Sequence, residues 1–173
     1  MQASVDPFVL TITYWLHMVA TVVWIGGLTA VSLVLVPAGR KTLAAPAFGA
    51  LLTQVNARLQ GIGWFSLVVL FATGMFQMSA SPRYEGFFAI TNAWSAAILA
   101  KHLAVGLMIL VSGYITWGLL PALKRISLLR AAGKTSGGAD EARLRRREDL
   151  LLRANLVLSV LVLLLTAWAR ASA

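Results

Sequence analysis

An all-α fold, an integral membrane bundle of four helices, is predicted by three observations on this chain of 173 residues. Hydrophobic residues make up 59% of it and charged residues 12%, an apolar share above the roughly 45–50% of soluble globular domains. Four apolar stretches each supply the roughly 20 helical residues that a hydrocarbon core about 30 Å thick requires. The basic residues are bunched, eight of the fifteen Lys and Arg falling between Lys124 and Arg147, which marks a cytoplasmic face.

Taken in order, the first span is expected over residues 8–36. No basic residue precedes it, so it reads as a mature span rather than a cleaved signal. Thr13, His17, Thr21 and Trp24 recur along it at intervals of four, four and three, forming one semi-polar stripe. Gly26 and Gly27 then leave room for a neighbouring helix or a cofactor edge. Residues 43–60 read as amphipathic. Phe48, Leu51, Leu52, Val55 and Leu59 hold helical spacing while Gln54, Asn56, Arg58 and Gln60 take other faces, as in a helix at the interface or an inward extension of the second span.

The second span is expected over residues 62–80, the third over 94–120 and the fourth over 150–168, all within a single transmembrane domain. Pro37, Pro82 and Pro121 lie just beyond the ends of the first three, where a missing N–H interrupts no helical ladder. Polar stripes, Ser66, Thr73 and Gln77 on the second span and Asn155, Ser159 and Thr166 on the fourth, are expected to turn inward and bond across the bundle. Residues 121–149 read as a basic, solvated cytoplasmic loop that anchors to anionic headgroups. The same charge distribution places both termini on the outer, periplasmic side. Trp94 and Trp168 then belong to the outer aromatic belt, Trp64 and Trp117 to the inner one.

Cysteine is absent, which excludes disulfides, thiolate-bound zinc, iron–sulfur clusters and haem attached through cysteine. No acidic residue falls within an expected span, so a carboxylate dyad or a His–carboxylate pair inside the bilayer is excluded as well. The basic loop is accounted for by topology, and no nucleic-acid partner is expected.

The chain has two histidines, His17 and His102, and both fall inside expected spans, where ionisable residues are costly and mark function. They lie nine and eight residues from the starts of two spans running in the same direction, each about 12–14 Å below the outer surface. On the third span His102, Gly106, Gly113 and Trp117 share a face, and the missing bulk at the glycines offers room for a flat macrocycle. Two neutral imidazoles at matching depth suit a six-coordinate haem b. Thr13, Thr21 or a backbone carbonyl would take the second ring N–H. Cofactor-binding residues on this reading are His17, His102, Lys101, Thr21, Trp24 and Gly106, with both histidines on the haem iron. Lys101 either snorkels outward, meets a haem propionate or serves as an axial ligand. A rival set, Met18, Met75 and Met78 with the histidines, joins soft thioethers to imidazole and suits Cu(I).

The run Trp15-Leu16-His17-Met18-Val19-Ala20 is followed by Trp24-Ile25-Gly26-Gly27. Thr73-Gly74 stands late in the second span, and Lys101 opens an apolar helix that closes in Leu120-Pro121. Together these resemble the copper resistance protein D (CopD) family of membrane proteins, which implies copper uptake across the inner membrane. Histidine in the first helix with lysine in the third is also similar to the related haem-binding bacterial protoporphyrinogen oxidase, a resemblance that implies His17 and Lys101 as the pair. His102 directly after the lysine, and the lack of that oxidase's later Tyr-His, depart from it and favour two histidines. The leading expectation is an electron-transferring haem b protein of the bacterial inner (cytoplasmic) membrane, partnered by lipid and a quinone or redox protein. The alternative is copper transport. Further alternatives are a porphyrinogen oxidase and an accessory subunit in a homo-oligomer or larger membrane complex. Electron transfer or transport is expected in preference to stand-alone enzymatic activity.

Overall fold

The computed structural model describes residues 6–133 and 138–172. Among these, every regular element is helical: α1 (Pro7–Thr29), a π-helical segment (Ala30–Leu35), α2 (Val36–Thr42), α3 (Ala45–Ser79), α4 (Ala93–Gly113), a second π-helical segment (Tyr114–Leu119), α5 (Leu120–Ala131) and α6 (Gly138–Ala171). Four continuous stretches, Pro7–Thr42, Ala47–Ser79, Ala93–Leu129 and Gly138–Ala171, are long and apolar enough to cross a membrane. Large apolar side chains such as Phe65, Phe71, Leu103, Leu110, Val157 and Leu164 stand exposed along them, as a protein solvated by lipid rather than water permits.

Local chemistry sets the starts. Asp6 caps α1 by accepting from the Phe8 N–H at 2.8 Å, with Pro7 in the first turn, where its missing N–H costs nothing. Asn92 and Ser95 cap α4 reciprocally: the Asn92 side chain accepts from the Ser95 N–H at 2.8 Å, and the Ser95 hydroxyl oxygen accepts from the Asn92 N–H at 3.1 Å. At the other end of its long helix, α5 is followed by Gly133 at φ 70, the left-handed conformation that closes helices and that glycine adopts without strain.

Two expectations about boundaries are corrected, and a third, left open between two readings, is decided. Pro37 and Pro121 do not lie beyond their helices; the chain stays helical through both. A proline removes a donor and crowds the carbonyl one turn back. In each case a π-helical segment ends two residues before the proline, at Leu35 and Leu119, and its wider turn accommodates the ring while the helix runs on. Pro82 does lie past the end of α3.

The amphipathic stretch 43–60 is not a separate interfacial helix, since α3 is continuous from Ala45 to Ser79. Its apolar face, Phe48 and Leu52 with Val55 and Leu59, packs against Val31, Leu35 and Val36. Gly39 makes this contact close, because a Cβ there would stand 2.6 Å from the Phe48 ring. Finally, the basic stretch 121–149 is helical at both ends. Asp140 and Glu141 occupy the first turn of α6, favourable against the helix dipole. Arg145 pairs with Glu141 at 3.6 Å and with Glu148 at 3.7 Å one turn away on either side. Residues 134–137, which include Lys134 of the expected loop, lie outside the described residues.

The chain divides into two compact units, Met1–Ala96 and Ala97–Ala173. In the first, α1, its π segment and α2 pack along α3. In the second, α6 packs on the π segment and α5, and Asn155, fully buried, donates through Nδ2 to the Ser112 hydroxyl oxygen at 2.9 Å. That bond joins two polar groups that hydrocarbon would leave unsatisfied.

Candidate functional site

Within the first unit, three glycines mark where α1 and α3 meet, each with room for an ordinary Cβ contact. A Cβ on Gly27 would lie 3.7 Å from the Leu59 side chain, one on Gly63 would lie 3.7 Å from Trp24, and one on Gly74 would lie 3.4 Å from His17 Cε1. Further along, the Gln77 amide donates to the Thr13 carbonyl at 3.2 Å. The pairing ascends α1 while it descends α3, so the two helices form an antiparallel hairpin. His17 lies on its seam.

The His17 ring is half-buried, and its Nδ1 stands 2.8 Å from the Thr73 hydroxyl oxygen. Thr73 is buried and also bonds the Val69 carbonyl at 2.6 Å. The expectation that Thr13 or Thr21 would support the ring is corrected. Their hydroxyls donate to carbonyls of their own helix, Thr13 to Val9 at 2.7 Å and Thr21 to His17 at 2.8 Å. Thr21 thus bonds the backbone of His17, and the ring's partner comes from α3. Trp24 is buried, its indole 3.7 Å from where a Cβ on Gly63 would stand.

The three methionines of the expected copper set are placed differently from one another. Met18 is 59% exposed, on a neighbouring face of α1. Met78 is buried and follows Gly74 by one helical turn, so the two share a face of α3. Met75 is half-buried and lies about 100° round from Gly74. Among the described residues no group of three or more His, Asp or Glu is assembled that would hold a metal ion. A metal at this hairpin would therefore depend on imidazole and thioether.

In the second unit, His102 is half-buried and its Nδ1 bonds the Ile98 carbonyl one turn earlier at 2.7 Å. The buried stripe of this span runs through Ala97, Ala104, Met108, Ile115 and Leu119. Lys101 stands in line with that stripe and His102 one residue round from it. Counted from the π segments, Lys101 also occupies the place of His17, each thirteen residues before its segment begins. The face expected to admit a macrocycle is partly filled. At Gly113 the space is taken by the indole of Trp117, 3.1 Å from where a Cβ would be, while at Gly106 nothing lies within 4 Å. A large flexible side chain one turn away folds over the notch that glycine leaves.

Sequence reasoning therefore named His17 but missed its partner. The signal was present in two forms, the polar stripe that includes Thr73 and the Thr73-Gly74 pair. What was lacking was the register that sets them opposite His17.

Searches of curated proteins and of solved structures return no match. The family model of copper resistance protein D matches residues 53–169, which takes in Thr73-Gly74, Lys101, His102 and Leu120-Pro121 and leaves out the whole of α1, His17 included. Four long apolar helices and a match over about two thirds of its length make this chain a member of the copper resistance protein D family.

Proposed function

We propose that the protein carries copper into or across the bacterial inner membrane as Cu(I), with the hairpin of α1 and α3 as a station on the way. The observation that carries this reading is His17 seated against Thr73-Gly74, on the face of α3 that continues to Met78. Imidazole nitrogen and thioether sulfur are donors that select Cu(I) over hard cations. His17 supplies the first, and Met78 is the methionine whose place on α3 suits the second. So small a donor set suits cargo better than a resident ion, since a conducted ion must bind well enough to enter and weakly enough to leave.

Family membership supports copper as the substrate. Haem b and electron transfer, the leading expectation from the sequence, has no comparable support, and the copper alternative takes its place. The basic residues that follow the first and third spans, Arg40, Lys41 and Arg58 and those from Lys124 to Arg147, support a cytoplasmic place for those segments and a place for His17 in the outer half of the membrane.

The test is uptake by proteoliposomes holding an internal Cu(I) indicator, with buffered Cu(I) outside. Wild-type protein is expected to carry copper, and His17→Ala and Met78→Leu each to lower the initial rate by about tenfold or more. Uptake unchanged in both variants would overturn the reading. So would a preparation that binds no Cu(I) and shows the visible bands of haem b, which would restore the haem expectation.

A further inference from the structure

The two bonds made by Thr73 determine which nitrogen of His17 carries the proton. A threonine hydroxyl has one hydrogen to give. Thr73 Oγ1 lies 2.6 Å from the Val69 carbonyl oxygen and 3.4 Å from that of Leu70, and a carbonyl oxygen only accepts. The hydroxyl hydrogen is therefore committed to the α3 backbone. At 2.8 Å from His17 Nδ1, the same oxygen meets the ring as an acceptor, and the hydrogen between them belongs to Nδ1. In a neutral imidazole protonated at Nδ1 the lone pair resides on Nε2.

We propose that Thr73 is a positioning residue that holds His17 in the Nδ1–H tautomer and so makes Nε2 the copper donor. Gly74 lies beside the ring: Cε1 stands 3.4 Å from where a Cβ would be, room for a methyl group but not for a branched side chain. The threonine of the Thr-Gly pair orients the ligand, and the glycine keeps bulk away from it. Support of this kind behind a ligating histidine commonly changes metal affinity by about 10–100-fold when removed.

The chain carries its own reference. His102 Nδ1 stands 2.7 Å from the Ile98 carbonyl, which also only accepts, so His102 takes the same tautomer from its own backbone and does not depend on Thr73.

The tautomer is independent of copper, whereas its use rests on the reading of the preceding subsection, and the experiment separates the two. The full chain, labelled with nitrogen-15 at histidine and reconstituted in lipid without metal, is studied by nuclear magnetic resonance; His102→Ala assigns the signals. His17 is expected to show a protonated Nδ1 and an unprotonated Nε2 in the wild type and in Thr73→Ser. Thr73→Val is expected to shift His17 towards the Nε2–H form while the His102 signals stay in place. Cu(I) titration against a competing chelator is then expected to show about tenfold weaker binding for Thr73→Val and near wild-type binding for Thr73→Ser. A wild-type His17 protonated at Nε2, or a Thr73→Val variant that keeps the Nδ1–H form, would overturn the proposal. Should the variant fail to fold, the wild-type spectrum still decides. If the tautomers behave as expected but His17→Ala leaves Cu(I) binding unchanged, the copper reading fails and the role of Thr73 in orienting the ring stands.

Discussion

At the smallest scale a half-buried imidazole, a buried hydroxyl and a bare α-carbon meet where α1 packs on α3. Each is ordinary alone. A closer approach that does require glycine occurs where Gly39 meets Phe48. The two glycines predict different outcomes. At Gly39 a Cβ would press into a buried ring at 2.6 Å, so Gly39→Ala is expected to cost about 1–3 kcal/mol, measured by denaturant unfolding in mixed micelles. At Gly74 the space is larger, and Gly74→Val is expected to displace the His17 ring while global unfolding shifts less. The check is Cu(I) binding and the His17 nitrogen signals in the same sample. Gly74→Val with unchanged binding would mean that the ring does not need its seat.

At the scale of the element, the notable devices are the two π segments, each ending two residues before a proline. A π segment adds about one residue to the helical register, so removing one residue from it should restore an α-helix without turning the faces on either side. Pro37 would then meet an α-helical turn and crowd its carbonyl. Deletion of the exposed Val34 is accordingly expected to destabilise the first unit by up to about 3 kcal/mol. The same deletion in a Pro37→Ala background should cost much less. Equal cost in both backgrounds, read from the same unfolding assay as a double-mutant cycle, would show that the π segment is not there to relieve the proline. Hydropathy does not anticipate this feature, because a π turn leaves no mark on composition.

For the whole molecule, the expected outcome concerns sidedness. Basic residues are concentrated in the segments that follow the first and third spans, and residues 81–92, after the second span, carry Arg83 as their lone basic residue. Both termini are expected outside. A periplasm-active reporter such as alkaline phosphatase fused after Ala173 should therefore be active, and a cytoplasm-active reporter in the same place inactive. The opposite result would place His17 in the inner half of the membrane and reverse the direction in which copper would meet it.

The sequence alone determined that the chain is helical, that it offers four apolar helices long enough to span a bilayer, and that His17 is a residue worth isolating. These follow from composition, from the length of a bilayer crossing and from the cost of burying an imidazole, all of which are local or additive. Tertiary structure alone decided that Thr73, 56 residues away, is the partner of His17 and that Trp117 closes over Gly113, and it chose between the two readings of residues 45–60 by continuing α3 through them. Those outcomes depend on which side chains interlock between or along helices. Interlocking is set by the register of one helix against another, and no single helix encodes that register by itself.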